Sequence, residues 1–67
     1  MKLVDLEVND KAKIIVVPNH PKLYHLGLLD SDITCVGKFG GAILVEMHGT
    51  KIMLGGEEAQ QIMVVRS

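Results

Sequence analysis

The stretch Ala42-Ile-Leu-Val-Glu-Met-His-Gly-Thr-Lys-Ile-Met-Leu54 decides the fold. Folded at His48-Gly49, it sets Met47 opposite Thr50, Glu46 opposite Lys51, Val45 opposite Ile52, Leu44 opposite Met53 and Ile43 opposite Leu54. Opposed residues of an antiparallel pair share a face, so the one charged couple falls together and the aliphatic couples align. Glycine reaches positive φ freely, and histidine is among the residues enriched in the left-handed region, so the pair suits a two-residue loop. The sequence leaves the turn type open. A hairpin this self-consistent predicts a small β domain, a size class that commonly serves as a binding module.

Outward from the hairpin, glycine pairs flank both strands: Gly40-Gly41 leads in and Gly55-Gly56 leads out. Neither pair has the lysine and spacing of a phosphate loop, so both read as turns. Upstream, residues 33–39 form a strand, with either Ile33, Cys35 and Gly37 or Thr34, Val36 and Lys38 facing inward. The first choice buries two apolar groups and is preferred. Residues 11–17 form another strand, with Ala12, Ile14 and Val16 toward the core and Ile15 and Val17 on the other face. Pro18 ends it. Leu3 and Leu6 read as a short turn docked on the core or as part of a first strand, and Asn9-Asp10 as a type I turn. Downstream, Glu57-Glu-Ala-Gln-Gln61 forms about one helical turn, with its glutamates at the positive end of the helix dipole. Residues 62–65 close the sheet.

Between the first two strands lies Pro21-Lys-Leu-Tyr-His-Leu-Gly-Leu28, which reads as a short helix. Proline suits the first helical position because its missing N–H would be unpaired there. Gly27 suits the left-handed residue after the last turn, with Leu28 packing back on Leu23. So short a helix does not hold alone in water, where about 12–15 residues are marginal, so Leu23, Leu26 and Leu28 must dock. Tyr24, His25 and Leu29 are then what a partner meets. Asp30-Ser-Asp32 is a polar turn.

Five or so short strands with tight turns make an all-β chain. The expected architecture is a small SH3-like β-barrel, closed or half-closed, with one short helix and a one-turn helix; an OB-fold, which usually needs longer strands, is the alternative. The 67 residues form a single domain, 1–67. The composition is 48% hydrophobic but holds one Phe, one Tyr and no Trp, giving an aliphatic core. That composition argues against grooves built from stacked rings for bases or proline-rich peptides. Net charge is −1, and the seven Lys and Arg are scattered singly, so a nucleic-acid partner is not expected. The longest aliphatic run, Ile14-Ile-Val-Val17, is too short to cross a bilayer, and no secretory apolar region is expected. One cysteine cannot form an internal disulfide, which fits a reducing cytoplasm. Weak self-association is compatible with a small barrel.

No catalytic or metal set stands out. His20, His25, His48, Cys35, Asp30, Asp32, Glu57 and Glu58 lack metal-ligand spacing, and no cofactor is expected. Cys35, flanked by aliphatics in a strand, reads as a small core residue without a positioned base, and the chain is not expected to be an enzyme.

The order of elements resembles the ferrous iron transport protein A (FeoA) family. The residues that carry the likeness are Leu3-x-x-Leu6, Ala12-x-Ile14, Leu23-x-x-Leu26-Gly27-Leu28, Gly41-x-Ile43-Leu44-Val45-x-Met47-x-Gly49, and Leu54 with Ala59-x-x-Ile62-x-Val64. The chain departs from the family pattern in having Leu29-Asp-Ser-Asp32 where Pro-Gly often follows the Leu-Gly-Leu helix, and Lys22 as the one basic residue there. The resemblance implies an SH3-like fold and a non-enzymatic, cytoplasmic accessory role in bacterial ferrous iron uptake. The implied partner is the GTP-hydrolysing side of the FeoB-type permease; the reading of the short helix, not the resemblance, puts the contact at Tyr24, His25, Leu26, Gly27, Leu28 and Leu29. The alternative is a stand-alone SH3-like module that binds a transition metal or regulates a metal-responsive partner.

Overall fold

A computed structural model describes residues 1–18 and 27–67 of the chain. Its elements are a 3-10 turn (Leu3–Asp5), β1 (Lys11–Val16), β2 (Asp32–Phe39), β3 (Ala42–Met47), β4 (Thr50–Leu54), helix α1 (Gly56–Gln61) and β5 (Met63–Arg66). The expected helix over residues 21–28 lies outside the described residues except for Gly27 and Leu28.

The β3–β4 hairpin forms in the register its sequence dictates, from Met47 opposite Thr50 to Ile43 opposite Leu54. His48 has φ 53° and Gly49 φ 82°, so both loop residues are left-handed and the turn is of the I′ kind, whose twist matches that of the flanking strands. Gly40 (φ 56°) and Gly41 (φ 92°) repeat the solution between β2 and β3, where Phe39 pairs with Ala42. Alternation then sorts the faces of β3: Ile43, Val45 and Met47 are buried while Glu46 is exposed.

All strand pairings are antiparallel, in the order β4-β3-β2-β1-β5. β4 and β5 are therefore the two edges, and the sheet curls in the SH3-like manner without closing on itself. The β5 edge is partly covered by the chain's own start. Lys2 bridges Met63, the Val64 N–H donates to the Met1 carbonyl (2.8 Å), and the Met1 amino group donates to the Val64 carbonyl (3.2 Å).

The core gathers Ala12 and Ile14 of β1, Ile33 and Cys35 of β2, Ile43 and Val45 of β3, Leu54 of β4 and Val64 of β5. Leu3, Leu6, Leu28, Ala59 and Ile62 cover it from the connections. Leu3 and Leu6 resolve as a turn rather than a strand. A three-residue spacing puts both on one side of a 3-10 turn, and Leu3 is fixed by donating its N–H to the Ile62 carbonyl at 2.8 Å.

Three local expectations are corrected. Val16 does not face the core; it is 48% exposed. The β1–β5 register shifts between Ile14, opposite Val64, and Val16, opposite Met63. This bulge inserts Ile15 as an extra residue, which breaks the alternation so that Val17, not Val16, packs against the core. Second, the turn before β1 spans Glu7–Asp10, closed by Asp10 N–H to the Glu7 carbonyl at 3.0 Å. Its third residue, Asn9, has φ 77°, which is the type II rather than the type I conformation. Third, β2 shifts register between Cys35 and Gly37. Ile33 and Cys35 face the core as expected, but Gly37 lies opposite Leu44 and is buried beneath the Phe39 ring. A Cβ on Gly37 would come 2.7 Å from Phe39 Cε2.

Candidate partner-binding surface

Of the six residues expected to meet a partner, Tyr24, His25 and Leu26 lie outside the described residues. Gly27, Leu28 and Leu29 open a turn that leads into β2. Gly27 holds φ 65°, in the left-handed region that glycine adopts without strain. Leu28 is 1% exposed and belongs to the core, so its side chain anchors the segment. Leu29 points the other way and is 53% exposed.

The turn is held by local and distant hydrogen bonds. The Ser31 N–H donates to the Leu28 carbonyl (3.1 Å), and its hydroxyl donates to the Gly27 carbonyl (2.8 Å). Ser31 is thus a buried polar residue whose hydroxyl is satisfied, as burial requires. Asp30, at φ 63°, donates its N–H to the Ile14 carbonyl (2.8 Å), and Ile14 donates in turn to the Ser31 carbonyl (3.0 Å). These bonds continue the β1–β2 ladder past the strand ends. Leu29, one residue before Asp30, therefore sits beside the end of β1, where Ile15 and Val16 are 44% and 48% exposed. Leu29, Ile15 and Val16 are thus three exposed aliphatic residues near one end of β1. The sequence expectation reached Leu29 but not Ile15 and Val16. The available signal was the run Ile14-Ile-Val-Val17, whose four aliphatics cannot all face one core in a strand of period two.

The other candidate chemistry resolves into structure. Cys35 is free and buried, its thiol 3.8 Å from the Gly37 carbonyl, and burial pushes its pKa up. A thiol held protonated in an apolar setting is a poor nucleophile. Glu57 and Glu58 occupy the first turn of α1, and Glu58 Oε2 folds back over Gly55, 2.7 Å from where a Cβ would stand. His48 is the first loop residue of the hairpin. Among the described residues no three His, Cys, Asp or Glu side chains converge to hold a metal ion; His20 and His25 lie outside them. Nor, among the described residues, is any helix long and apolar enough to cross a membrane.

The fold has solved counterparts. The crystal structure of an iron uptake regulatory protein (FeoA) superposes with a TM-score of 0.88 at 23% identity, covering 100% of this chain and 96% of that one. A manganese-dependent transcriptional repressor superposes with a TM-score of 0.79 at 24% identity, where this chain spans 41% of the repressor. At those identities the likeness establishes the SH3-like fold. No curated protein matches the chain in sequence. The FeoA domain model matches residues 1–66, and on that match the chain belongs to the FeoA domain family.

Proposed function

We propose that this domain is a cytoplasmic accessory protein of ferrous iron transport that binds the GTP-hydrolysing region of an FeoB-type permease and modulates it. The observation that supports the reading most is the FeoA domain match across residues 1–66. The exposed Leu29 side chain agrees with it: the hydrogen-bonded turn that carries it is already ordered, so little backbone freedom is lost when a partner covers it.

The test is direct binding of the purified chain to the isolated cytoplasmic region of the permease, followed by biolayer interferometry. Binding is expected, and Leu29→Asp is expected to weaken it at least about tenfold, the loss typical of a buried apolar anchor. Ferrous iron uptake in cells lacking the domain should change in step. No detectable association, together with unaltered uptake after deletion, would overturn the proposal.

A further inference from the structure

The two edges of the sheet are not equivalent. β5 is bridged by Lys2 and bonded to Met1, whereas β4 is paired only with β3 among the described residues. In a two-residue hairpin the residues flanking the loop exchange both hydrogen bonds, and the pairs then alternate. Met47–Thr50, Val45–Ile52 and Ile43–Leu54 are thus the bonded pairs. Lys51 and Met53 direct their N–H and C=O groups away from β3, where no strand pairs with them among the described residues. β4 has no proline and no bulge, and its register with β3 is unbroken over all five residues. Such an edge is a template for another strand.

We propose that the outer edge of β4, unpaired among the described residues, pairs antiparallel with β4 of a second copy, about a two-fold axis through Ile52. The proposal is independent of the permease reading. Three features select this register for the self-pairing. A strand pairs with its own copy face to face only when the residue numbers of each opposed pair sum to an even number. An axis through Lys51 would set ammonium against ammonium, which is unfavourable. An axis through Met53 would leave Thr50 and Lys51 without strand partners. The axis through Ile52 pairs all five residues: Thr50 with Leu54, Lys51 with Met53, Ile52 with itself. About four backbone hydrogen bonds then form between Lys51 and Met53 of opposite copies.

The side chains agree. Ile52 faces the core, yet at the open edge it is only partly buried; its symmetry mate would cover it. On the outer face Met53 is 52% exposed and continues a row with Leu44 and the Phe39 ring. Pairing sets the stem of the second copy's Lys51 along that row. Lys51 therefore acts as a selector: it disfavours one register and is accommodated in another.

Sedimentation equilibrium tests this on the full chain. The expected result is a concentration-dependent monomer–dimer equilibrium. Met53→Lys would set lysine against Lys51 of the other copy twice per dimer and should weaken association about fivefold at low salt, whereas Met53→Glu should tighten it by about as much. Position 53 is exposed, so circular dichroism and the urea midpoint should change little. Ile52→Cys gives a second readout. Non-bonded antiparallel pairs have Cα atoms about 4.5 Å apart, within disulfide reach, so mild oxidation should yield a covalent dimer while buried Cys35 stays reduced. A chain that remains monomeric to about millimolar concentration, with no covalent dimer of Ile52→Cys, overturns the proposal. So does a dimer that responds alike to lysine and glutamate at position 53.

Discussion

Arg66 reaches across from β5 to place Nη2 2.8 Å from Asp10 Oδ2, and the same carboxylate oxygen accepts the Glu7 N–H at 2.9 Å. One acidic side chain thus ties the last strand to the turn that precedes β1. Asp10 also uses its backbone, accepting the Cys35 N–H at 2.9 Å, so the turn is joined to β2 as well.

The two partners of this ion pair should not be worth the same. Arg66 is 52% exposed and loses only a screened contact on truncation, so Arg66→Ala should cost at most about 0.5 kcal/mol. Asp10→Ala also leaves the Glu7 N–H without its acceptor and should cost about 1 kcal/mol. Urea denaturation of both single variants and the double, at low and high salt, measures the difference. Only the part shared by the pair should shrink with salt.

The hairpin loop offers a gain. His48 is held at φ 53°, where asparagine is better suited, so His48→Asn should raise stability by a few tenths of a kcal/mol. Gly49 at φ 82° has open space around it, so Gly49→Ala isolates the backbone cost, expected at about 1 kcal/mol. Thermal unfolding of the two variants should move the midpoint in opposite directions.

Ile14 and Val16 separate what the sequence discloses from what it does not. The hairpin register, the inward set Ile33 and Cys35, the turn glycines and the short α1 all follow from alternation and turn chemistry, which act over a few residues. The bulge at Ile15 does not, because it answers a tertiary requirement: β1 pairs with β2 on one side and β5 on the other, and the register is relieved by one extra residue. The same limit hid the exposure of Val16, while the exposure of Leu29 was legible because Leu28 beside it had to be buried. Alternation alone ranks Ile14 and Val16 equally, and the structure does not. Ile14→Ala should cost about 2–5 kcal/mol, most of the stability of a domain this small. Val16→Thr should cost well under about 1 kcal/mol, its side chain being half in solvent. Chemical denaturation of the two variants checks the ranking.

Gly37 and Phe39 should be coupled. In a strand interior alanine is favoured over glycine by about 0.5–1 kcal/mol, but here a new methyl group meets the ring of Phe39, whose far edge is free to swing away. Gly37→Ala in the natural chain should therefore gain nothing or lose slightly. In a Phe39→Ala background the same change should recover about 0.5–1 kcal/mol, because the obstruction is gone. A double-mutant cycle by urea denaturation reads the coupling; strict additivity would show that the ring does not cover Gly37 in solution.

Cys35 makes the pH dependence of stability one-sided. Burial raises its pKa, with backbone hydrogen bonding at Gly37 and then the Lys38 charge opposing the shift. An acid whose folded pKa lies above its unfolded one keeps its full contribution below the unfolded value. For a thiol that value is about 8.5. Above it the unfolded chain releases its proton while the folded chain retains it, so stability falls with rising pH until the folded pKa is passed. Below about pH 8 this group contributes no slope. Cys35→Ala should remove this alkaline component while costing stability at every pH through the small cavity it leaves. Urea midpoints of the natural chain and the variant between pH 7 and about pH 10 test the sign. In parallel, a thiol reagent at pH 8 should label Cys35 only as fast as the domain opens, so labelling should accelerate with urea; rapid labelling of the native chain would show the thiol to be accessible and the pKa argument wrong.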